Sequence, residues 1–206
     1  MNNKNKAIVV HIIGVYFLVL GIVAIIRSMY HHAPTQILYA CYMGMILIGV
    51  GILARRSFIV LSQIYILAIP LFVWDIDFVH WLIFNRSLLG VTDYFFLEFS
   101  ANIDKFVMLQ HLYTIPLAIY AVILIGVGRK DAWKWSFIQL VLLFVAVMVF
   151  SAPSSNINCM FYSCIDVNFG VLPYTFVWFS VVFCATGISV LLLNYFLWPK
   201  TRNNVK

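Results

Sequence analysis

The sequence predicts an all-α, polytopic integral membrane protein with six transmembrane helices. Two compositional observations and one pattern carry that expectation. Apolar residues make up 64% of the 206-residue chain and charged residues only 10%. Mean hydropathy is +1.01, outside the range of soluble domains. The apolar residues come in separate runs near 20 residues long. An α-helix of that length, at about 1.5 Å per residue, crosses a hydrocarbon core about 30 Å thick. The runs use up nearly the whole chain, so residues 1–206 read as a single transmembrane domain.

The first span, about 7–26, follows the polar, basic start MNNKNK. Its apolar run is longer than a signal-peptide core and no small-x-small cleavage pattern follows, so it reads as a retained helix. The second, about 37–54, runs into Arg55 and Arg56. The third, about 58–74, holds Pro70 and leads into VWDIDFVHW, Val73–Trp81. The fourth, fifth and sixth are expected at about 106–127, 136–152 and 171–197. The stretch 78–105 is apolar enough for a seventh span, but that would bury Arg86, and a central Arg costs about 2.5–3.5 kcal/mol. Short interfacial or re-entrant helices between the third and fourth spans are expected instead, at the depth that suits Trp81, Tyr94 and the phenylalanines.

Loop charges set the orientation. With both termini cytoplasmic, the inner face holds ten Lys and Arg, among them Lys4, Lys6, Arg55, Arg56, Arg129, Lys130 and Lys134, and the outer face holds three, Arg27, Arg86 and Lys105. That is the positive-inside pattern. Six of the seven acids fall outside, with Asp131 the exception. The net charge of +6 is thus explained by inner loops and gives no reason to expect nucleic acid. A multi-pass location in a plasma or inner membrane follows.

ILIGVG occurs at Ile46–Gly51 and again at Ile123–Gly128, each time followed by basic residues and then SFI. Two readings stand side by side: a duplicated helical hairpin of the kind transporters use, and coincidence in an Ile/Leu/Val/Gly-rich alphabet. Gly49 and Gly51, like Gly126 and Gly128, also permit close packing and tight turns.

Three groups of residues carry chemistry. Asp75, Asp77 and His80 stand at the outer exit of the third span, just past Pro70. In a helix Asp77 and His80 share a face, and in an extended chain Asp75 and Asp77 do. Either pair suits a cation, and the three together are the metal-ligand candidates. The plainer reading is that they are polar end groups that hold the span in register. The second group is NIDKFVMLQHLYTIP, Asn102–Pro116. His111 lies one to two turns below the outer surface, where a histidine is costly unless it faces protein or water. Asp104 is two helical turns before it and Tyr113 is nearby. The plainer reading of His111 is a hydrogen bond to a neighbouring helix. The third group is Cys159 and Cys164, with four residues between them in an outer loop, which reads as a disulfide staple rather than a redox or metal pair.

No hydrolase, nucleotide, haem or voltage-sensor signature is present, and the sequence assigns no cofactor. Three functions compete. The first is binding or transport of a small solute, cationic by the charge of the outer mouth, with Asp75, Asp77, His80, His111 and Tyr113 lining the site. The second is an integral-membrane enzyme at the outer leaflet, with His111 as general base and Asp104, or Asp75 and Asp77, to orient it or bind a metal. The third is an accessory or scaffold subunit whose polar residues only fix helix contacts. The partners these imply are the lipid bilayer, a cationic solute or lipid, and other membrane subunits.

Overall fold

The computed structural model describes residues 2–96, 102–128, 131–165 and 174–197. Within them the chain is helical, with no strand: α1 (Asn3–Tyr30), α2 (Ala40–Leu53), α3 (Ser57–Phe84), α4 (Asn102–Met108), α5 (Gln110–Ile125), α6 (Ala132–Phe150) and α7 (Tyr174–Leu197). Helices α1, α3, α6 and α7 are long and apolar enough to cross a membrane, and α2 and α5 are apolar but shorter.

α1 begins where the Asn2 side chain accepts the Asn5 N–H at 2.8 Å, an N-cap bond. Val10, Ile13, Gly14, Phe17, Leu20, Gly21 and Ala24 recur at helical spacing and form its buried stripe against α2. The contact is backbone to backbone at Gly49, where an added Cβ would lie 2.7 Å from the Leu18 nitrogen and 3.0 Å from the Gly14 carbonyl oxygen. Small residues are the usual means of such an approach in lipid, where no hydrophobic force draws helices together.

α3 is the hub. It packs against α2, α5, α6 and α7, and residues 60–67 are buried all round, as expected for a helix apolar on every face. Polar side chains clamp the others to it. The amides of Gln63 and Gln139 exchange hydrogen bonds of 2.7 and 2.9 Å between α3 and α6. Ser136 Oγ donates to the Ser62 carbonyl at 2.9 Å. Tyr65 donates to Asn194 Oδ1 of α7 at 2.8 Å. The hydroxyls of Tyr16 and Tyr113 bond α1 to α5.

The structure departs from expectation at the end of the third span. α3 does not leave at Trp74 but continues through Asp75, Asp77 and His80 to Phe84, where Asn85 ends it in the left-handed region at φ 53°. The 28 residues make it about 42 Å long, more than the hydrocarbon thickness. Between α3 and α4, where short interfacial or re-entrant helices are expected, the described residues hold one 3-10 turn, Asp93–Phe95. The two ILIGVG copies differ locally: the first lies wholly within α2, whereas in the second Gly126 ends α5 at φ 97°.

The start of α1 and the α2–α3 turn lie at one end of the bundle, where Lys4 and Arg55 line one groove. Gly128, just past α5, joins them there by donating to Ser57 Oγ at 3.2 Å. At the opposite end the loop 151–165 plugs the space beside α6 and α7. Cys159 and Cys164 are paired across it, with Sγ atoms 1.93 Å apart. Asn158 reaches from this loop to α2: its Oδ1 accepts the Ala40 N–H and its Nδ2 donates to the Leu38 carbonyl, both at 2.9 Å. Trp178 of α7 donates to the Asn158 carbonyl at 2.7 Å and so fixes the loop from behind.

Candidate functional site

The far ends of α3 and α5 carry the polar residues that the sequence singles out, and the structure separates their roles. Asp77 is fully buried and accepts four hydrogen bonds. The N–H groups of Leu88 and Leu89 reach Oδ1 at 2.7 and 2.6 Å. The N–H and hydroxyl of Thr92 reach Oδ2 at 2.9 and 2.8 Å. All four donors belong to the loop after Asn85, so the carboxylate winds that loop back onto α3. Such charge-assisted bonds are about twice as strong as neutral ones. His80 is tied down beside it, with Nδ1 2.9 Å from the Arg86 carbonyl oxygen.

Asp75 is one helical step from Trp74 and takes no part in this anchor. Its Oδ1 is buried and has no hydrogen-bond partner. The Trp74 ring joins α3 to α5, its centroid 4.6 Å from the imidazole of His111. His111 keeps only 9% of its surface exposed, and its Nδ1 is buried without a partner. Gln110 beside it is 1% exposed. Its Oε1 accepts the Thr114 hydroxyl at 2.5 Å, while Nε2 is buried and unpaired. An unmatched buried polar atom costs about 1–3 kcal/mol, and three of them stand on adjoining turns of two packed helices.

Aromatic rings close this region. Trp74 stacks on Phe78 at 5.0 Å and meets Phe95 edge-on at 6.2 Å. Phe96 stacks on Trp81 at 3.4 Å. Trp74 Nε1 donates to the Tyr94 hydroxyl at 2.8 Å. Tyr94 keeps 40% of its surface exposed, yet burial around the phenol pushes its pKa above the usual range, so it stays neutral.

The remaining sequence candidates go elsewhere. Tyr113 turns to α1 and bonds Tyr16. Asp104 lies in the backbone of α4, and its side chain is outside the described residues. Among the described residues no three His, Cys, Asp or Glu side chains gather as a metal site. The structure therefore brings Trp74, Tyr94 and His111 together with Asp75 on the next residue, and assigns Asp77 and His80 to loop contacts. Gln110 and Asn158 stand out in the sequence only as members of polar stretches, the one beside His111 and the other in the outer loop with Ser154, Ser155 and Asn156. Thr92 was not singled out, and its signal is weak, a hydroxyl beside an apolar run. Compared with family models, with curated proteins and with solved structures, the chain matches none.

Proposed function

We propose that the chain is a six-span membrane protein with both termini in the cytoplasm, which binds a small cationic solute at its outer face as a transporter or as the binding subunit of one. Two of the six spans are composite. α2 alone covers about 21 Å, and the 3-10 turn Pro34–Leu38 before it adds about 10 Å. α5 covers about 24 Å and α4 about 10 Å more. Both composites match the hydrocarbon core only when their two pieces are counted together. Their breaks, at Tyr39 and Leu109, fall in the outer half. Irregular backbone at membrane depth is tolerated where it is buried in protein or lines a cavity, and discontinuous helices form the substrate sites of many transporters.

The observation that carries the reading is three unmatched buried atoms, Gln110 Nε2 and His111 Nδ1 just past the Leu109 break and Asp75 Oδ1 on the facing helix α3. A primary or secondary amine that bears a neighbouring oxygen complements them. Its N–H groups meet Asp75 and the imidazole nitrogen, and its oxygen accepts from Gln110.

Thermal unfolding of the purified chain against a panel of amines tests this. A ligand at a hundred times its Kd raises stability by about 2.7 kcal/mol. Asp75→Asn and His111→Ala are expected to abolish the shift and His80→Ala to keep it. The reading is wrong if no amine stabilises wild type more than the Asp75 variant. Arg86→Cys, labelled by an impermeant reagent from outside only, tests the orientation.

The accessory-subunit reading keeps one supporting observation. α7 buries only 11% of its most apolar window and α6 only 22%, so one flank of the bundle is open to a neighbouring subunit as well as to lipid. A blank amine screen together with stoichiometric co-purification of a second membrane protein would favour it.

A further inference from the structure

At the end of the bundle opposite the amine site lies a groove of about 430 Å³ between α1 and the α2–α3 turn. Its origin is geometric. Close contact at Gly14 and Gly49 holds α1 and α2 together. Below that contact α2 stops at Leu53, while α1 runs on for three more turns to Asn3. The chain then turns through Arg55, whose φ of 52° is left-handed. The wedge left between them has two kinds of wall. Lys4, His11 and Arg55 supply cationic or N–H donor groups, and Ile8, Ile12 and Leu53 supply an apolar side. Lys4, His11 and Arg55 are exposed, so their donors face whatever enters.

We infer that this groove holds the headgroup of an anionic phospholipid from the leaflet that contains the N-terminus. A phosphate diester carries acceptor oxygens and a negative charge for the basic wall, and the first acyl carbons lie along the isoleucines. Each Lys or Arg near an anionic surface adds about a fivefold preference. A free anion matches the basic wall but gains nothing from the apolar one, and a zwitterionic lipid matches the apolar wall but brings its own cation. The inference rests on the membrane reading above and is independent of the amine site.

Native mass spectrometry of the full chain in detergent, titrated with phosphatidylglycerol or phosphatidylcholine of the same acyl chains, tests it. Phosphatidylglycerol is expected to bind more tightly. Lys4→Gln with Arg55→Gln is expected to weaken it about 25-fold, from about fivefold for each cation removed. Lys6→Gln with Arg56→Gln removes the same charge beside the groove and is expected to leave binding unchanged. Equal loss in both pairs, or equal binding of the two lipids, overturns the assignment, because diffuse charge or chance would then explain it. So does displacement by inorganic phosphate at the lipid's own concentration, since the apolar wall would then contribute nothing. Asp75→Asn is expected to bind phosphatidylglycerol as wild type does, so failure of the amine site and failure of the groove are separable.

Discussion

Replacing Asp77 by Asn changes one atom and should detach a loop. The carboxylate accepts two N–H groups on one oxygen and an N–H and a hydroxyl on the other. An amide oxygen turned to Leu88 and Leu89 keeps two bonds, but neutral ones, a loss of about 1 kcal/mol for each given the difference between charged and neutral acceptors. The amide nitrogen then faces Thr92. The Thr92 hydroxyl rotates and accepts, but the Thr92 N–H meets a donor and is left buried and unpaired, at about 1–3 kcal/mol. The sum is about 4 kcal/mol, confined to the segment that follows Asn85. An ordinary surface change costs less than about 0.5 kcal/mol. Hydrogen exchange of a peptide covering 86–96 reads this directly, because local opening free energy sets the exchange rate. Exchange should rise more than about a hundredfold, since each 1.4 kcal/mol is a factor of ten. A peptide covering 157–165 should not change. Unaltered exchange over 86–96 would refute the anchor, and an altered amine response without altered exchange would return Asp77 to the binding site.

Asn158→Ala removes the cap that the 151–165 loop lends to α2 and should lower stability in detergent by about 1–2 kcal/mol. Asn158→Asp should do no better, because its second oxygen faces the Leu38 carbonyl, and denaturation midpoints compare the two. Gln63→Leu or Gln139→Leu alone strands the partner amide. The double variant should recover part of the loss, with a coupling of about 0.6–1.7 kcal/mol in a double-mutant cycle. Additive single effects would show that the amide pair is not a clamp. Gly49→Ala places a Cβ 2.7 Å from the Leu18 nitrogen. It should cost about 1–3 kcal/mol and lengthen the distance between spin labels on α1 and α2.

The spans that length and hydropathy define, α1, α3, α6 and α7, were legible because a bilayer imposes both. Where α3 ends was not. Asp75, Asp77 and His80 lower local hydropathy and read as an exit, but a helix is propagated by its backbone bonds, and nothing there interrupts them. The stop is Asn85, a residue suited to the left-handed conformation that ends helices. The role of Asp77 was hidden for a related reason: three of its four donors are backbone N–H groups, which leave no mark in a sequence. The break at Tyr39 has no Pro or Gly to announce it at that residue. It is held by a side chain 118 to 120 positions away, and no local pattern encodes that. His111 stood out because a histidine inside an apolar run is costly. Its contact with Trp74 depended on which helices are neighbours, and the sequence leaves that open.

The hub position of α3 has a consequence for synthesis. Gln63 waits for Gln139, which is 76 residues later in the chain. At about 5–20 residues per second, that partner is polymerised about 4–15 s after Gln63. Tyr65 waits longer still, for Asn194, 129 residues on. During that interval the central helix has neither its Gln139 nor its Asn194 partner and is held only by α2 and, later, α5. A ribosome that stalls before α6 leaves a polar stripe facing lipid, the kind of surface that membrane chaperones and proteases bind.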